Sequence, residues 1–104
     1  MAADRVLNMI GLAKKAGRCV SGSLPVAESI KKREAKLVII AQDASENTKK
    51  HFKDMCTFAD IPFCFYSDME NIGRFTGKEQ RAAAAVLDEG FAAGIEAMIR
   101  EVKV

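Results

Sequence analysis

An α/β fold, with a sheet sandwiched between helical layers, is what this sequence predicts. Three features support it. Segments with apolar residues at helical spacing alternate with short apolar runs, giving the order αβαβαβαβα. The run Leu37-Val38-Ile39-Ile40-Ala41 carries no charge and suits a strand covered on both faces. The 104 residues contain no linker, low-complexity tract or internal repeat, so 1–104 is expected to be a single domain with one core.

Each element has its own signal. Val6, Ile10 and Ala13, flanked by Leu7 and Leu12, recur at helical spacing, and Gly17 stands where that helix should stop. Cys19-Val20 is a short strand ending at Ser21-Gly22. Ser23 is expected to cap a second helix, with Pro25 in its first turn, where a missing N–H costs little. Val26, Ala27 and Ile30 face the core, and Lys31-Lys32-Arg33 lie toward the negative end of the helix dipole. After strand 37–41, Asp43 and Glu46 have the spacing of a capping box, which starts a third helix with Phe52, Met55, Cys56 and Ala59 on its apolar side.

Pro62 precedes a third strand, Phe63-Cys64-Phe65-Tyr66. Asp68 or Ser67 caps a short helix through about Phe75, which Gly77 ends. Residues Ala82 to Leu87 are ambiguous, because four alanines favour helix by propensity. Their place between a turn and a new helix start at Asp88 favours a tightly packed strand. Phe91, Ile95, Met98, Ile99 and Val102 then form one continuous helical stripe.

Hydrophobic content of 49% and charged content of 29% are those of an ordinary globular protein. The net charge of +2 decides nothing, but its distribution is uneven. Residues 1–53 hold 11 Lys/Arg against 5 Asp/Glu, and residues 54–104 hold 5 against 9. A basic surface on one part of the fold is expected, compatible with nucleic acid. Cys19, Cys56 and Cys64 are odd in number, lack CxxC spacing and lie in apolar stretches, so reduced buried thiols are expected. His51 is the only histidine, so a metal site would need an unusual ligand set, and no metal or other cofactor is expected. No signal peptide is visible and no apolar run approaches the roughly 20 residues of a membrane span, which makes the cytoplasm the expected compartment and excludes a membrane partner.

Ser21-Gly22-Ser23 joins a strand to a helix, where backbone amides and the helix N-terminus can meet a phosphate. The plainer reading is a turn that needs glycine for its backbone angles. No GxxxxGK[ST] or GxGxxG pattern is present, which argues against an ordinary nucleotide-binding loop. Asp43 and Glu46 are better explained as a helix cap than as paired catalytic carboxylates. Asn47, Thr48 and Lys50 are donors suited to phosphates or base edges, and Lys49, Lys50 and Lys53 share a helical face that is otherwise simply solvated. Arg74, Lys78 and Arg81 surround Gly77 in an expected surface loop. No motif places a nucleophile near His51. Phe52, Phe63, Phe65 and Phe91 fall on core patterns, leaving Tyr66 as the one aromatic open to base stacking. No catalytic constellation emerges, so neither enzymatic activity nor a small-molecule substrate is expected.

Taken together, Gly11-Leu12-Ala13-Lys14-Lys15-Ala16-Gly17, Val20-Ser21-Gly22 and the stretch Lys36 to Thr48 resemble the kink-turn RNA-binding ribosomal-protein family, in particular its short bacterial YlxQ-type branch. Ile61-Pro62, Gly73, Gly77-Lys78 and Asp88-Glu89-Gly90-Phe91 extend the resemblance over nearly the whole chain. It implies a three-layer α/β/α sandwich around a four-stranded mixed sheet. It also implies RNA binding at three places, which fall here on Gly22 with Ser23, on Asn47 with Lys50, and on Lys78 to Arg81. The sequence departs from the family where its typical members carry Asn-Glu and then a lysine after the first glycine. Leu24, Pro25 and Glu28 stand there instead. Leucine and proline cannot read base edges by hydrogen bonds, and Glu28 repels phosphate. The later loop, apolar in the family, is Lys78-Glu79-Gln80-Arg81 here. Altered specificity is the expected consequence, with structured RNA held by shape and charge.

The expectation is therefore a cytoplasmic, non-enzymatic RNA-binding protein, acting in translation on structured RNA, ribosomal or kink-turn-like. Gly22 and Ser23 would allow close backbone approach and Asn47 a polar contact, while Lys31, Lys32, Lys49, Lys50, Lys78 and Arg81 would meet phosphates. The competing expectation is a protein-interaction module that kept the fold after losing specific RNA recognition. A detached recognition domain of an RNA-modifying methyltransferase is a third, weakened by the lack of room for a catalytic domain.

Overall fold

The computed structural model describes residues 4–103. Helix α1 (Arg5–Lys15) starts where the Asp4 carboxylate accepts the Leu7 N–H at 3.0 Å, and it ends before Gly17, whose φ of 73° few other residues adopt readily. Then follow β1 (Cys19–Ser21), α2 (Ser23–Lys31), β2 (Leu37–Ile40), α3 (Glu46–Ala59), β3 (Phe63–Phe65), α4 (Met69–Phe75), β4 (Ala83–Val86) and α5 (Glu89–Lys103). The expected order of elements is the observed one.

The four strands form one sheet in the order β1-β4-β2-β3. Strand β4 is antiparallel to both its neighbours, whereas β2 and β3 are parallel, so β1, β2 and β3 run one way and β4 the other. Successive side chains alternate between the two faces. Leu37, Ile39, Ala84 and Val86 pack with Ile10 of α1, Ile72 of α4 and Ile95 of α5. Val38, Ile40, Ala83 and Ala85 pack with Val26 and Ile30 of α2 and Phe52 and Cys56 of α3. The architecture is a three-layer α/β/α sandwich on a mixed sheet.

Strand β4 shows why the alanines are strand and not helix. It lies between β1 and β2, with Ala83, Ala84, Ala85 and Val86 wholly buried. Ladder hydrogen bonds on both sides outweigh a helix preference of a few tenths of a kcal/mol per residue.

Two caps differ from expectation. Helix α3 is capped by Ser45, whose hydroxyl accepts the Thr48 N–H at 3.1 Å, and not by Asp43. The N–H of Ala44 bonds back to the Ala41 carbonyl, so the chain turns before the helix begins. Asp43 instead accepts the Met69 N–H at 2.9 Å, tying the β2–α3 loop to α4, and Glu46 pairs with Lys49. Ser23 is the first residue of α2 and not its cap. The cap is Gly22, at φ 102° and ψ 154°, with no side-chain bond to the helix.

Cys19 and Cys56 are buried, as expected, and burial pushes both thiols up to about 11, so they are protonated at neutral pH. Cys64 is only half-buried. Tyr66, the aromatic expected to be open to base stacking, is committed to the fold: its hydroxyl donates to both Asp4 carboxylate oxygens, at 3.0 and 2.9 Å. Burial, with help from Asp4, pushes the phenol from 10.0 up to about 12. The phenol is harder to ionise in the folded chain, so its contribution is complete below pH 10.0 and is lost as pH rises toward about 12. Tyr66→Phe is expected to lower unfolding free energy by about 1–2 kcal/mol at neutral pH and to flatten this alkaline decline. Urea denaturation at pH 7 and above pH 10 checks both.

Candidate nucleic-acid interface

Strand directions decide where the loops meet. The carboxyl ends of β1, β2 and β3 and the amino end of β4 share one edge of the sheet, because Ser21 lies opposite Ala84, Ile40 opposite Ala83 and Ile40 opposite Phe65. The turns into α2, α3 and α4 and the loop into β4 therefore converge. Backbone bonds tie them together: Gly22 N–H to Ala83 O (3.0 Å), Ala41 N–H to Ala82 O (2.8 Å), Arg81 N–H to Met69 O (3.0 Å) and Gln42 N–H to Ser67 O (2.9 Å). Ligands of open α/β sheets commonly sit at such carboxyl ends.

At this edge a groove of about 510 Å³ runs between the β1–α2 turn and the α4–β4 loop, with Gly22, Ser23, Lys78 and Arg81 in its walls. The structure thus brings together two of the three regions singled out in the sequence. A Cβ on Gly22 would lie 3.5 Å from both Cδ and Nε of Arg81, and the positive φ strains any other residue there. Glycine lets the arginine lie against the turn. In α2, the N–H groups of Ser23 and Leu24 belong to the first turn, where no carbonyl lies upstream to receive them, and Gly22 offers no side-chain cap. The Arg81 guanidinium donates to the Gln80 carbonyl at 2.9 Å. Helix α4 supports the far wall: Lys78 N–H bonds to Gly73 O at 2.8 Å, and the backbone of Glu79 crosses directly over Gly73.

Ser21 enters the sequence reading through the backbone of the Ser21-Gly22-Ser23 turn and not through its hydroxyl. Its side chain is 8% exposed, in the groove wall, and its Oγ has no hydrogen-bond partner among the described residues. A buried hydroxyl left without a partner costs about 1–3 kcal/mol. No sequence signal marks it, because its isolation follows from the sheet packing.

The third region lies on α3. Asn47 is exposed in its first turn. Lys49, Lys50 and Lys53 line a separate hollow of about 430 Å³ with Gln42 and Phe65. These lysines are less available than their spacing implies. Lys49 Nζ reaches Glu46 at 3.0 Å and the Gln42 carbonyl at 3.2 Å, and Lys50 Nζ reaches Asp54 at 2.6 Å, holding that carboxyl below its usual value. Lys31 and Lys32 are not brought to the edge. They lie at the opposite end of α2, about 12 Å of helix from Ser23, and Lys32 pairs with Glu28 at 3.2 Å. That pair also tempers the repulsion expected from Glu28. Leu24 and Pro25 stand exposed beside the groove, Leu24 at 82%. Arg74 belongs to the last turn of α4 and not to the loop.

His51 is exposed and packs edge-on against Phe52 at 5.5 Å. Among the described residues no His/Cys/Asp/Glu group is arranged to hold a metal, and no helix is long and apolar enough to cross a membrane. What the edge offers chemically is guanidinium, ammonium and backbone N–H donors around a concave turn, a set suited to phosphate oxygens.

The chain is similar to several known proteins. It is 40% identical to the RNA-binding protein YlxQ of Bacillus subtilis over 84 residues, covering 81% of this chain and 84% of that one. YlxQ of Enterococcus faecium is 40% identical over 91 residues, covering 86% and 85%. A Bacillus halodurans protein of unknown function superposes with a TM-score of 0.89 at 31% identity, covering 94% of this chain and 99% of that one. The Giardia lamblia 15.5kD RNA binding protein shares the fold, with a TM-score of 0.76 at 18% identity over 99% of this chain and 92% of its own. Residues 4–96, from the start of α1 into α5, match the profile of one family, and the chain belongs to that family, described as the ribosomal protein L7Ae/L30e/S12e/Gadd45 family.

Proposed function

We propose that this chain binds structured RNA, without catalysis, through the edge where β1–α2, β2–α3 and α4–β4 meet. The observation that carries the reading is the groove in which Arg81 lies against Gly22 with Lys78 beside it. The curated relatives named RNA-binding proteins support it. Gly22 and Ser23 admit a backbone closely, Arg81 and Lys78 meet phosphates, and Asn47 adds a polar contact from α3. Leu24 and Pro25, at the positions nearest the groove, offer no hydrogen bonds to base edges. The RNA is accordingly held by shape and phosphate pattern, as in a folded ribosomal or kink-turn-like element, and the cytoplasm is where such RNA is met.

Anisotropy titrations against a folded internal-loop RNA test this, with log affinity expected to fall linearly against log salt. Lys49→Ala/Lys50→Ala is expected to weaken binding only about two- to fivefold, because each phosphate contact must compete with an existing carboxylate pair. Salt-insensitive binding, or none to any folded RNA, rejects the proposal. The exposed Leu24 favours one competitor, a protein-interaction module. A partner recovered by pull-down and unaffected by nuclease would support that instead.

A further inference from the structure

A group of four cations without carboxylate partners extends beyond the three regions expected from the sequence and shares only Lys78 with them. Helices α1 and α4 end side by side. Gly11 eases this approach, since a Cβ there would make a tight 3.3 Å contact with the Phe75 carbonyl oxygen. Between the two ends lies a cleft of about 720 Å³ lined by Lys14, Lys15, Arg74 and Lys78, together with Asn8 and the half-exposed Leu12. No carboxylate lines it. Among the described residues none of these four cations has a carboxylate within 4.0 Å, whereas Lys49 and Lys50 each have one.

The ordinary explanation is that these side chains offset the negative ends of two helix dipoles. It accounts for only part of the charge. Two helix C-termini amount to about −1 in total, which leaves about +3 from four cations. The charge is also held in place: Arg74 donates to the Asn71 side chain at 2.6 Å and lies 6.0 Å from the Phe75 ring centre. Lys78 lines both this cleft and the Gly22–Arg81 groove, so the two adjoin at that side chain.

Resting on the RNA-binding reading above, we propose that the α1/α4 cleft is a second phosphate-binding surface, which takes the backbone of the same RNA beyond the element seated at Gly22 and Arg81. Positive charge with no carboxylate in the cleft wall, a border with the groove at Lys78 and a length of two helix ends fit the run of phosphates along an RNA helix arm. Leu12 offers an apolar surface for a ribose. An acidic protein would match the charge but would not need the cleft to border the groove at Lys78.

The test uses the full chain and its Lys14→Gln/Lys15→Gln variant, with Arg74→Gln as a second variant. Glutamine keeps the helix propensity, and thermal denaturation confirms that each variant folds. The probes are a synthetic internal-loop RNA with a long helical arm and the same RNA with that arm trimmed back to the loop. Between about 50 and about 200 mM salt, the wild-type chain is expected to lose about tenfold more affinity for the long-armed RNA than the Lys14→Gln/Lys15→Gln variant does, two phosphate contacts being absent from the variant. On the trimmed RNA the two should bind alike. Equal salt dependence on the long-armed RNA overturns the inference while leaving the RNA-binding reading intact, and so does binding of an acidic protein that depends on Lys14 and Lys15 while RNA affinity does not. No binding of either RNA by the wild-type chain rejects both.

Discussion

Gly73→Ala is expected to cost about 3 kcal/mol or more of stability, and to disorder the loop that presents Lys78 and Arg81. Gly73 is buried in α4, and a Cβ there would fall 1.4 Å from the Glu79 carbonyl oxygen and 2.4 Å from its carbon. Both are backbone atoms, so no rotamer change relieves the overlap. The whole crossing must open. Gly94, inside α5, is the control. Nothing lies within 4 Å of a Cβ built on it, so Gly94→Ala should stabilise by about 0.5–1 kcal/mol through helix propensity alone. Urea midpoints measure both. A Gly73→Ala protein with the wild-type midpoint would show that α4 and the loop are not packed as described.

Charge reversal at Lys78→Glu/Arg81→Glu is expected to reduce affinity for folded RNA by on the order of a hundredfold or more at about 0.1 M salt. Each reversal removes one phosphate contact and adds one repulsion. This far exceeds the change expected at Lys49 and Lys50, and the ranking is what distinguishes the groove from the α3 face. Anisotropy titrations read the affinity, and a denaturation curve confirms folding. Retention of affinity within a few-fold would remove the Gly22–Arg81 groove from the RNA interface.

The elements were legible because their signals are local. An uncharged run at Leu37 to Ala41, a glycine after α1 and an apolar stripe in α5 each follow from a single segment's own burial. The caps were less legible. Asp43 and Glu46 have capping-box spacing, yet Ser45 serves, and what drew Asp43 away is the Met69 amide, which no local pattern reveals. Lysine spacing on α3 pointed to a basic face, but the carboxylates at Glu46 and Asp54 on the same helix take much of it. The α1/α4 cleft has no signature in the sequence for the opposite reason. Its cations come from segments about sixty residues apart, and only the packing of α1 against α4 brings them together.

By itself the sequence determined that helices and strands alternate, which residues form the core, and that the chain's glycines, basic residues and family resemblance point to RNA. Hydrophobic periodicity and backbone preference are properties of short stretches, so they are written there. The tertiary structure alone decided the rest. Placing β4 antiparallel between β1 and β2 turned distant loops toward one edge, seated Arg81 against Gly22, and left Lys31 and Lys32 at the opposite end. Those are consequences of strand order and of contacts across the sheet, which depend on how burial is satisfied by the chain as a whole.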